Sequence, residues 1–188
     1  MPRTSDQTHA AAPGHEAPKA RPRQTICGDL DMRIDRNGTW FYHGSPIGRK
    51  ELVRLFSTVL KREDDGSYWL ETPVEKGRIV VEDAPFLVVE MEAEGAGRNR
   101  RIRFRTNVDD WLTLDADHPL RVEHDGETGE PSPYVVVRPG LEARINRPVF
   151  YDLVEMGVEE DAGHEKGVHY GVWSTGIFFP LGTLTETD

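Results

Sequence analysis

The sequence contains one cysteine and no long apolar run. Cys27 has no second cysteine with which to form an internal disulfide, which is typical of proteins from a reducing cytoplasm. No stretch approaches the ~20 consecutive apolar residues that span a bilayer, and the N-terminus lacks the apolar core of a secretory signal. These absences predict a cytoplasmic protein that does not cross a membrane.

Basic residues are scarce relative to acidic ones. The 188 residues include 23 Lys and Arg against 33 Asp and Glu, so the formal net charge is −10. Such a charge opposes non-specific attraction to phosphate backbones, and nucleic acid is not an expected partner. The chain also lacks a phosphate loop, a dinucleotide fingerprint, a nucleophile elbow and a zinc framework. We therefore expect no cofactor and no metal ion, and we assign no catalytic residue.

The composition divides the chain into a tail and two halves. Residues 1–23 are rich in Pro, Ala and polar side chains without a hydrophobic period, which predicts a disordered tail. The remainder predicts an α+β fold made of two small subdomains of antiparallel β-strands, residues 24–83 and 84–184. Each subdomain has one principal helix.

A hairpin opens the first subdomain. Two β-type segments flank Asn37-Gly38, a dipeptide that favours the two-residue type I′ turn. Such a turn predicts that Asp35 lies opposite Trp40 and that Ile34 lies opposite Phe41.

The end of this hairpin and the helix after it recur later in the chain. Apolar residues at spacings of three and four predict both helices. A shift of 98 residues overlays the two segments and predicts an internally repeated β-hairpin/helix motif with an arginine at the first helical position of each copy. The overlaid pairs are Ile47 with Ile145, Gly48 with Asn146, Arg49 with Arg147, Leu52 with Phe150, Leu55 with Leu153 and Phe56 with Val154.

Two strands of the second subdomain have a predictable register. Apolar and charged residues alternate with period two along 86–94 and 101–106, as in half-buried antiparallel strands. Symmetric closure of the intervening loop would give one charged and one apolar face. The predicted pairs are Glu90 with Arg105, Glu92 with Arg103 and Glu94 with Arg101 on one face, and Met91 with Phe104 and Ala93 with Ile102 on the other.

Three segments of the chain resemble the bacterial family called domain of unknown function 1285. They are CGDLDMRIDRNGTWFYHGSPIGRKELVRLFSTVLKRE, TPVEKGRIVVEDAPF and GVWSTGIFFPLG. The likeness extends from Cys27 to Gly182. It implies a two-part α+β fold with a repeated structural motif, in a family with no assigned reaction for which a role in signalling has been suggested. It supplies no catalytic or binding residues.

Arg49 and Arg147 are the strongest candidates for ligand binding. The positive end of a helix dipole disfavours a cation unless a negative group lies nearby. A bound phosphate or carboxylate would supply that charge and could use the free N–H groups of the first turn. The alternative is an ion pair with one of the chain's own carboxylates. Trp40 and Trp173 could line a groove between the halves, or could serve only as core anchors.

Several acidic and histidine residues could support acid–base catalysis or hold a metal ion if they converge. Asp29, Asp31 and Asp35 alternate along one strand, and Asp115 and Asp117 precede His118. A polar strand face and an ordinary turn are the structural alternatives. The remaining histidine pair, His164 and His169, lies in a Gly-rich loop without a recognised ligand spacing.

Two functional hypotheses follow. The first is a non-catalytic module, with bacterial signal transduction as its setting, that binds a small anionic ligand or a protein partner between its repeats. The second is a small enzyme that acts on an anionic substrate. An arginine, a histidine and a carboxylate in one pocket would favour the enzyme, whereas scattered groups would favour binding. The oligomeric state is left open.

Overall fold

The computed structural model describes residues 24–161 and 168–184, so the predicted tail and His164 lie outside the described residues. Both helices have nine residues, and no helix among the described residues is long and apolar enough to cross a membrane. The helices are α1 (Lys50–Thr58) and α2 (Arg147–Glu155). The strands are β1 (Thr25–Ile34), β2 (Trp40–Tyr42), β3 (Ser45–Pro46), β4 (Leu60–Arg62), β5 (Tyr68–Glu71), β6 (Glu75–Val81), β7 (Phe86–Glu94), β8 (Arg101–Thr106), β9 (Trp111–Thr113), β10 (Leu120–His124), β11 (Pro131–Arg138), β12 (Leu141–Ile145), β13 (Val158–Asp161), β14 (Val168–Ser174) and β15 (Ile177–Leu184).

Within the described residues the strands form two six-stranded sheets and one three-stranded sheet. The strand order is β3-β2-β1-β6-β5-β4 in the first sheet, β10-β11-β12-β7-β8-β9 in the second and β13-β14-β15 in the third. The α+β architecture with one helix in each half is confirmed, but the strands are not all antiparallel. In each six-stranded sheet two antiparallel meanders join through one parallel pair, β1 with β6 and β12 with β7. Side-chain alternation does not encode strand direction, so the sequence pattern could not predict these pairs.

The register predicted for the first hairpin is wrong by one residue. Ile34 lies opposite Trp40, because the loop has three residues, 36–38, and not two. The Asp35 carboxylate causes the difference, since it accepts hydrogen bonds from the amides of Asn37 (2.9 Å) and Thr39 (2.8 Å). Gly38 adopts a φ of +74°, the left-handed conformation that ends such a loop.

The register predicted for β7 and β8 is confirmed at all five predicted pairs. On the charged face Arg105 bonds to Glu90, and Arg103 lies 3.3 Å from Glu92. On the other face Ile102 and Phe104 are fully buried. The alternation predicts this register because a slip of one residue would put the apolar side chains in water.

Each helix follows a hairpin, β2–β3 before α1 and β11–β12 before α2, but the helices start at an offset of 97 residues and not 98. Arg49 is therefore the N-cap of α1, whereas Arg147 is the first residue of α2. The Asn146 side chain caps α2, whereas the N-cap of α1, Arg49, has no side-chain acceptor and makes no capping hydrogen bond.

The offset of 97 residues between the helices pairs different residues of α1 and α2 from those that the sequence overlay pairs. The apolar spacing predicts Leu55 on the buried face of α1, but Leu55 is 61% exposed. With an offset of 97, Phe56 corresponds to Leu153, and both belong to the core or pack against it. The connections of the two helices also differ, because α1 lies between the two meanders of its sheet, whereas α2 follows both meanders of its own.

One apolar cluster joins the two halves. It includes Trp40 from the first half, Phe104 and Leu153 from the second, and Phe179 from the third sheet. Trp40 is 1% exposed and stacks on Phe56 with ring centroids 6.2 Å apart. The halves are therefore parts of one packed structure.

Asn107 joins the first hairpin to the second sheet. This half-buried amide accepts a hydrogen bond from the Leu87 N–H (3.1 Å) and donates one to the Gly38 carbonyl (2.9 Å). Its own backbone N–H donates to the Leu87 carbonyl (2.8 Å). A Cβ added at Gly38 would lie 2.6 Å from the Asn107 amide nitrogen, so only glycine allows this close approach. A further contact between the halves is the bond from Arg138 to the Ser57 carbonyl (2.7 Å) near the C-terminus of α1.

Asn107→Ala is expected to lower the free energy of unfolding by about 1–2 kcal/mol, because it leaves the Leu87 N–H and the Gly38 carbonyl without their partner. Asn99→Ala, at an exposed asparagine with no side-chain hydrogen bond among the described residues, is the control and should change stability by less than about 0.5 kcal/mol. Urea denaturation measures both. Equal effects of the two substitutions would contradict the role of Asn107.

Candidate functional site

A cleft of about 230 Å³ lies where the first hairpin meets the second half. Its walls come from the 36–38 loop, β7, β11, β12 and the start of α2. Three arginines from separate elements line it. The lining residues are Arg36, Asn37, Leu87, Pro131, Pro133, Arg144, Ile145, Asn146, Arg147 and Phe150.

Arg144 is the most firmly held of the three arginines. It lies on β12 directly opposite Tyr134 of β11. Its guanidinium is 3.3 Å from Asp83, which also accepts a hydrogen bond from the Tyr134 hydroxyl (2.9 Å). Asp83 belongs to the segment between β6 and β7, so this group of three side chains links the segment between the halves to the wall of the cleft.

Arg147 is held much more loosely. It forms an ion pair with Glu130, the residue immediately before β11. The Arg147 and Glu130 side chains are 68% and 47% exposed, compared with 30% and 19% for Arg144 and Asp83. An ion pair this open to solvent contributes little to stability.

The Arg36 side chain has no ion-pair partner among the described residues. Its backbone N–H donates to Glu82 at 3.3 Å, but within residues 24–161 and 168–184 its guanidinium pairs with no carboxylate. The 36–38 loop presents this exposed cation at the cleft.

The N-terminus of α2 adds few free amides to the cleft. The Asn146 side chain already accepts the Val149 N–H at 3.0 Å, and Pro148 has no N–H. The sequence predicts that free N–H groups bind an anion at this position. In the structure the guanidinium groups are the main donors available there.

Of the four predicted binding residues, Arg147 alone lines this cleft. Arg49 is exposed at the start of α1 and has no carboxylate partner in the described part of the chain. Trp40 is buried in the core. Trp173 is half-buried and packs against Phe178, with the Arg98 guanidinium 4.5 Å from its ring centroid. Both tryptophans therefore lie in packed surroundings, away from the cleft.

The acidic residues of the first strand have separate partners. Asp29 pairs with Arg78 at 2.6 Å, and this hydrogen bond lowers the pKa of Asp29. Asp31 lies 2.7 Å from Nδ1 of His43. Asp35 braces the hairpin loop, as described above.

The segment around His118 is an ordinary turn. The Asp115 carboxylate accepts the N–H groups of Asp117 and His118, both at 3.0 Å. Nδ1 of His118 is 2.9 Å from the Val136 carbonyl. His169 pairs with Thr183 across β14 and β15. Among the described residues, no group of three or more His, Cys, Asp and Glu side chains forms a candidate metal site.

A second depression, of about 440 Å³, lies beside α1 and has an apolar lining. It contains no arginine or lysine, so its chemistry differs from that of the arginine cleft. Its residues are Leu30, Met32, Tyr42, Ile47, Leu52 and Phe56.

Sequence reasoning did not assign Arg36, Asn37 or Arg144 to a site. The turn signal around Asn37 located the loop but not its neighbours in space. Arg144 alternates with the buried residues Ala143 and Ile145, a pattern that places its side chain on the other face of β12 without showing what lies there.

The fold and the cleft define a two-part α+β protein with a cationic pocket between its halves. Comparison with known proteins agrees with the two-part division. The model of the domain of unknown function (DUF1285), N-terminal domain, matches residues 18–84, and the model of the protein of unknown function (DUF1285), C-terminal domain, matches residues 85–181. The chain belongs to the DUF1285 family.

Two solved structures are similar to the chain. A DUF1285 family protein from Silicibacter pomeroyi DSS-3 is 49% identical, with a TM-score of 0.78 over 89% of this chain and 88% of that one. A DUF1285 family protein from Shewanella baltica OS155 is 27% identical, with a TM-score of 0.54 over 68% of this chain and 92% of that one. No curated protein matches.

The contact between Tyr134 and Asp83 predicts a pH effect. Burial, with the hydrogen bond to Asp83 as the next cause, raises the pKa of Tyr134 to about 12. Above pH ~10 the unfolded chain releases this proton while the folded protein keeps it. The stabilisation from this group is therefore complete below pH ~10 and is lost as the pH rises towards 12.

Tyr134→Phe is expected to cost about 1 kcal/mol at pH 8, through loss of the hydrogen bond, and the difference from wild type should shrink above pH ~10. Urea denaturation at pH 8, 10 and 11 measures it. Tyr151→Phe, at an exposed tyrosine of α2, should stay within about 0.5 kcal/mol of wild type at pH 8. A difference for Tyr134→Phe that grows with pH would contradict the assignment.

Proposed function

We propose that this protein is a non-catalytic module that binds a small anion in the cleft between its two halves. The observation that carries the proposal is the convergence of Arg36, Arg144 and Arg147, which come from a loop, a strand and a helix start. Arg144 and Arg147 lie three residues apart, and Arg36 comes from the other half of the chain, so two separate parts of the sequence supply these cations to one concave surface. Guanidinium groups are planar donors that bind carboxylates and phosphates in bidentate geometry.

The net negative charge of the chain contrasts with this cluster of three arginines. With a net charge of −10, an average surface patch repels anions. Part of the cleft wall is apolar, from Leu87, Ile145 and Phe150 among others, and apolar walls strengthen charge interactions by excluding water. A concave site with a few polar groups in a partly apolar wall is the usual form of a small-molecule site.

The lining also favours binding over the alternative of a small enzyme acting on an anionic substrate. The described residues that line the cleft include no histidine, carboxylate, hydroxyl or thiol. The carboxylates beside it, Glu130 and Asp83, are paired with Arg147 and Arg144. An anion bound there would meet donors that orient it, and no lining residue is suited to accept a proton or attack as a nucleophile.

We also propose that the module acts in bacterial signal transduction in the cytoplasm. A protein partner would bind differently to the ligand-bound and the ligand-free module. The single cysteine supports the compartment. The hairpin that precedes each helix supports an internal repeat. In this proposal the second copy, with Arg147, binds the ligand, and the first copy, with Arg49, does not.

Arg147→Ala is expected to weaken anion binding by about tenfold or more, the usual effect of removing a charged hydrogen-bond donor. Arg36→Ala should weaken it in the same direction. Calorimetric titration with inorganic phosphate, a phosphate monoester and an aliphatic dicarboxylate, at constant ionic strength, measures the affinities.

The matched control is Arg49→Ala, which removes the same charge from the start of the other helix. It should leave the affinity within about twofold, because screening weakens the effect of a distant exposed charge. Equal losses for Arg49→Ala and Arg147→Ala, or no binding of any of these anions by the wild-type protein, would overturn the proposal.

A further inference from the structure

We infer that Glu130 is a built-in competitor for the ligand, and that the ligand it competes with is a carboxylate with a hydrocarbon body. The inference rests on the proposed function and concerns the same cleft. In the structure the Glu130 carboxylate pairs with Arg147, one of the three arginines that line the cleft. The protein's own carboxylate, which does not itself line the cleft, thus occupies guanidinium donors of Arg147 that a ligand's carboxylate would use.

A braced turn brings Glu130 to this position. One oxygen of the Asp125 carboxylate accepts the Thr128 N–H (2.8 Å), the Thr128 hydroxyl (2.9 Å) and the Glu127 N–H (3.0 Å). These bonds hold the pKa of Asp125 below its usual value. The Asp125 N–H donates to the Glu130 carbonyl at 2.9 Å, which closes the turn between β10 and β11. Glu130 is followed at once by Pro131, a residue of the cleft wall.

The ion pair between Arg147 and Glu130 is exposed, so a ligand's carboxylate can replace Glu130. An ion pair this open to water holds its partners only weakly, so a ligand can displace Glu130 at small cost. The pair between Arg144 and Asp83 is less exposed, and Asp83 also accepts the Tyr134 hydroxyl. Ligand entry would therefore release Arg147 and leave Arg144 in place.

The walls of the cleft indicate what else the ligand contains. Five of the ten lining residues are apolar, and inorganic phosphate has no hydrocarbon to place against them. A ligand with a carboxylate on Arg147 and a hydrocarbon body would use both kinds of surface. Arg36 lines the same cleft and offers an unpaired guanidinium to a second carboxylate. The apolar residues are Leu87, Pro131, Pro133, Ile145 and Phe150.

The test uses adipate, a six-carbon dicarboxylate, as the probe and Glu130→Gln as the variant of the full chain. Glu130→Gln should bind adipate about two- to fivefold more tightly than wild type, the factor that corresponds to removing one exposed ion pair. Glu127→Gln is the matched control, because it removes the same charge from an exposed position on the same turn. Its adipate affinity should equal that of the wild type.

Isothermal titration calorimetry at constant ionic strength, with thermal melts to confirm folding, separates the outcomes. Equal adipate affinities for Glu130→Gln and Glu127→Gln, with clear binding by both, would overturn the competitor role and leave the anion site standing. Phosphate binding as tight as adipate binding would overturn the carboxylate class. Absence of both adipate and phosphate binding in all three proteins would mean that the proposed function itself has failed.

Discussion

The hydrogen bonds of Asn107 hold the two halves in the arrangement on which the cleft depends. Its side chain joins the Leu87 N–H of β7 to the Gly38 carbonyl of the first hairpin. Because Gly38 follows Arg36 and Asn37 in the same loop, this contact also positions the part of the cleft wall that comes from the first half. The shared apolar cluster and the bond from Arg138 to the Ser57 carbonyl join the halves elsewhere, and the Asn107 contact is the one of these that reaches this loop.

The cleft brings three arginines together in an acidic protein, and two of them are paired with carboxylates that do not line it. Its three arginines differ in how firmly they are held, from the Arg144 pair with Asp83, through the exposed Arg147 pair with Glu130, to the unpaired guanidinium of Arg36. Arginines that were all buried in strong pairs would have no donors left for a ligand. This gradation leaves Arg144 firmly held and the guanidinium groups of Arg147 and Arg36 exposed.

Predictions from the sequence succeeded where many residues constrain the same feature. Five consecutive pairs determine the register of β7 and β8, and an error of one residue would reverse both faces. The first hairpin depends on one loop, where two hydrogen bonds to the Asp35 carboxylate were enough to change the pairing. The start of α1 likewise depends on a single capping position, where Arg49 is the N-cap, whereas Arg147 is the first residue of α2 after the Asn146 cap.

The sequence by itself determined the α+β class, the helix in each half, the family and the register of one strand pair, because periodicity and local turn chemistry act over neighbouring residues. Only the tertiary structure decided the two parallel strand pairs and the separation of Arg49 from Arg147. It also decided the meeting of Arg36, Arg144 and Arg147 in one cleft. These features join residues up to about a hundred positions apart, and their partners are chosen by packing and hydrogen bonding across the halves, which no local pattern records.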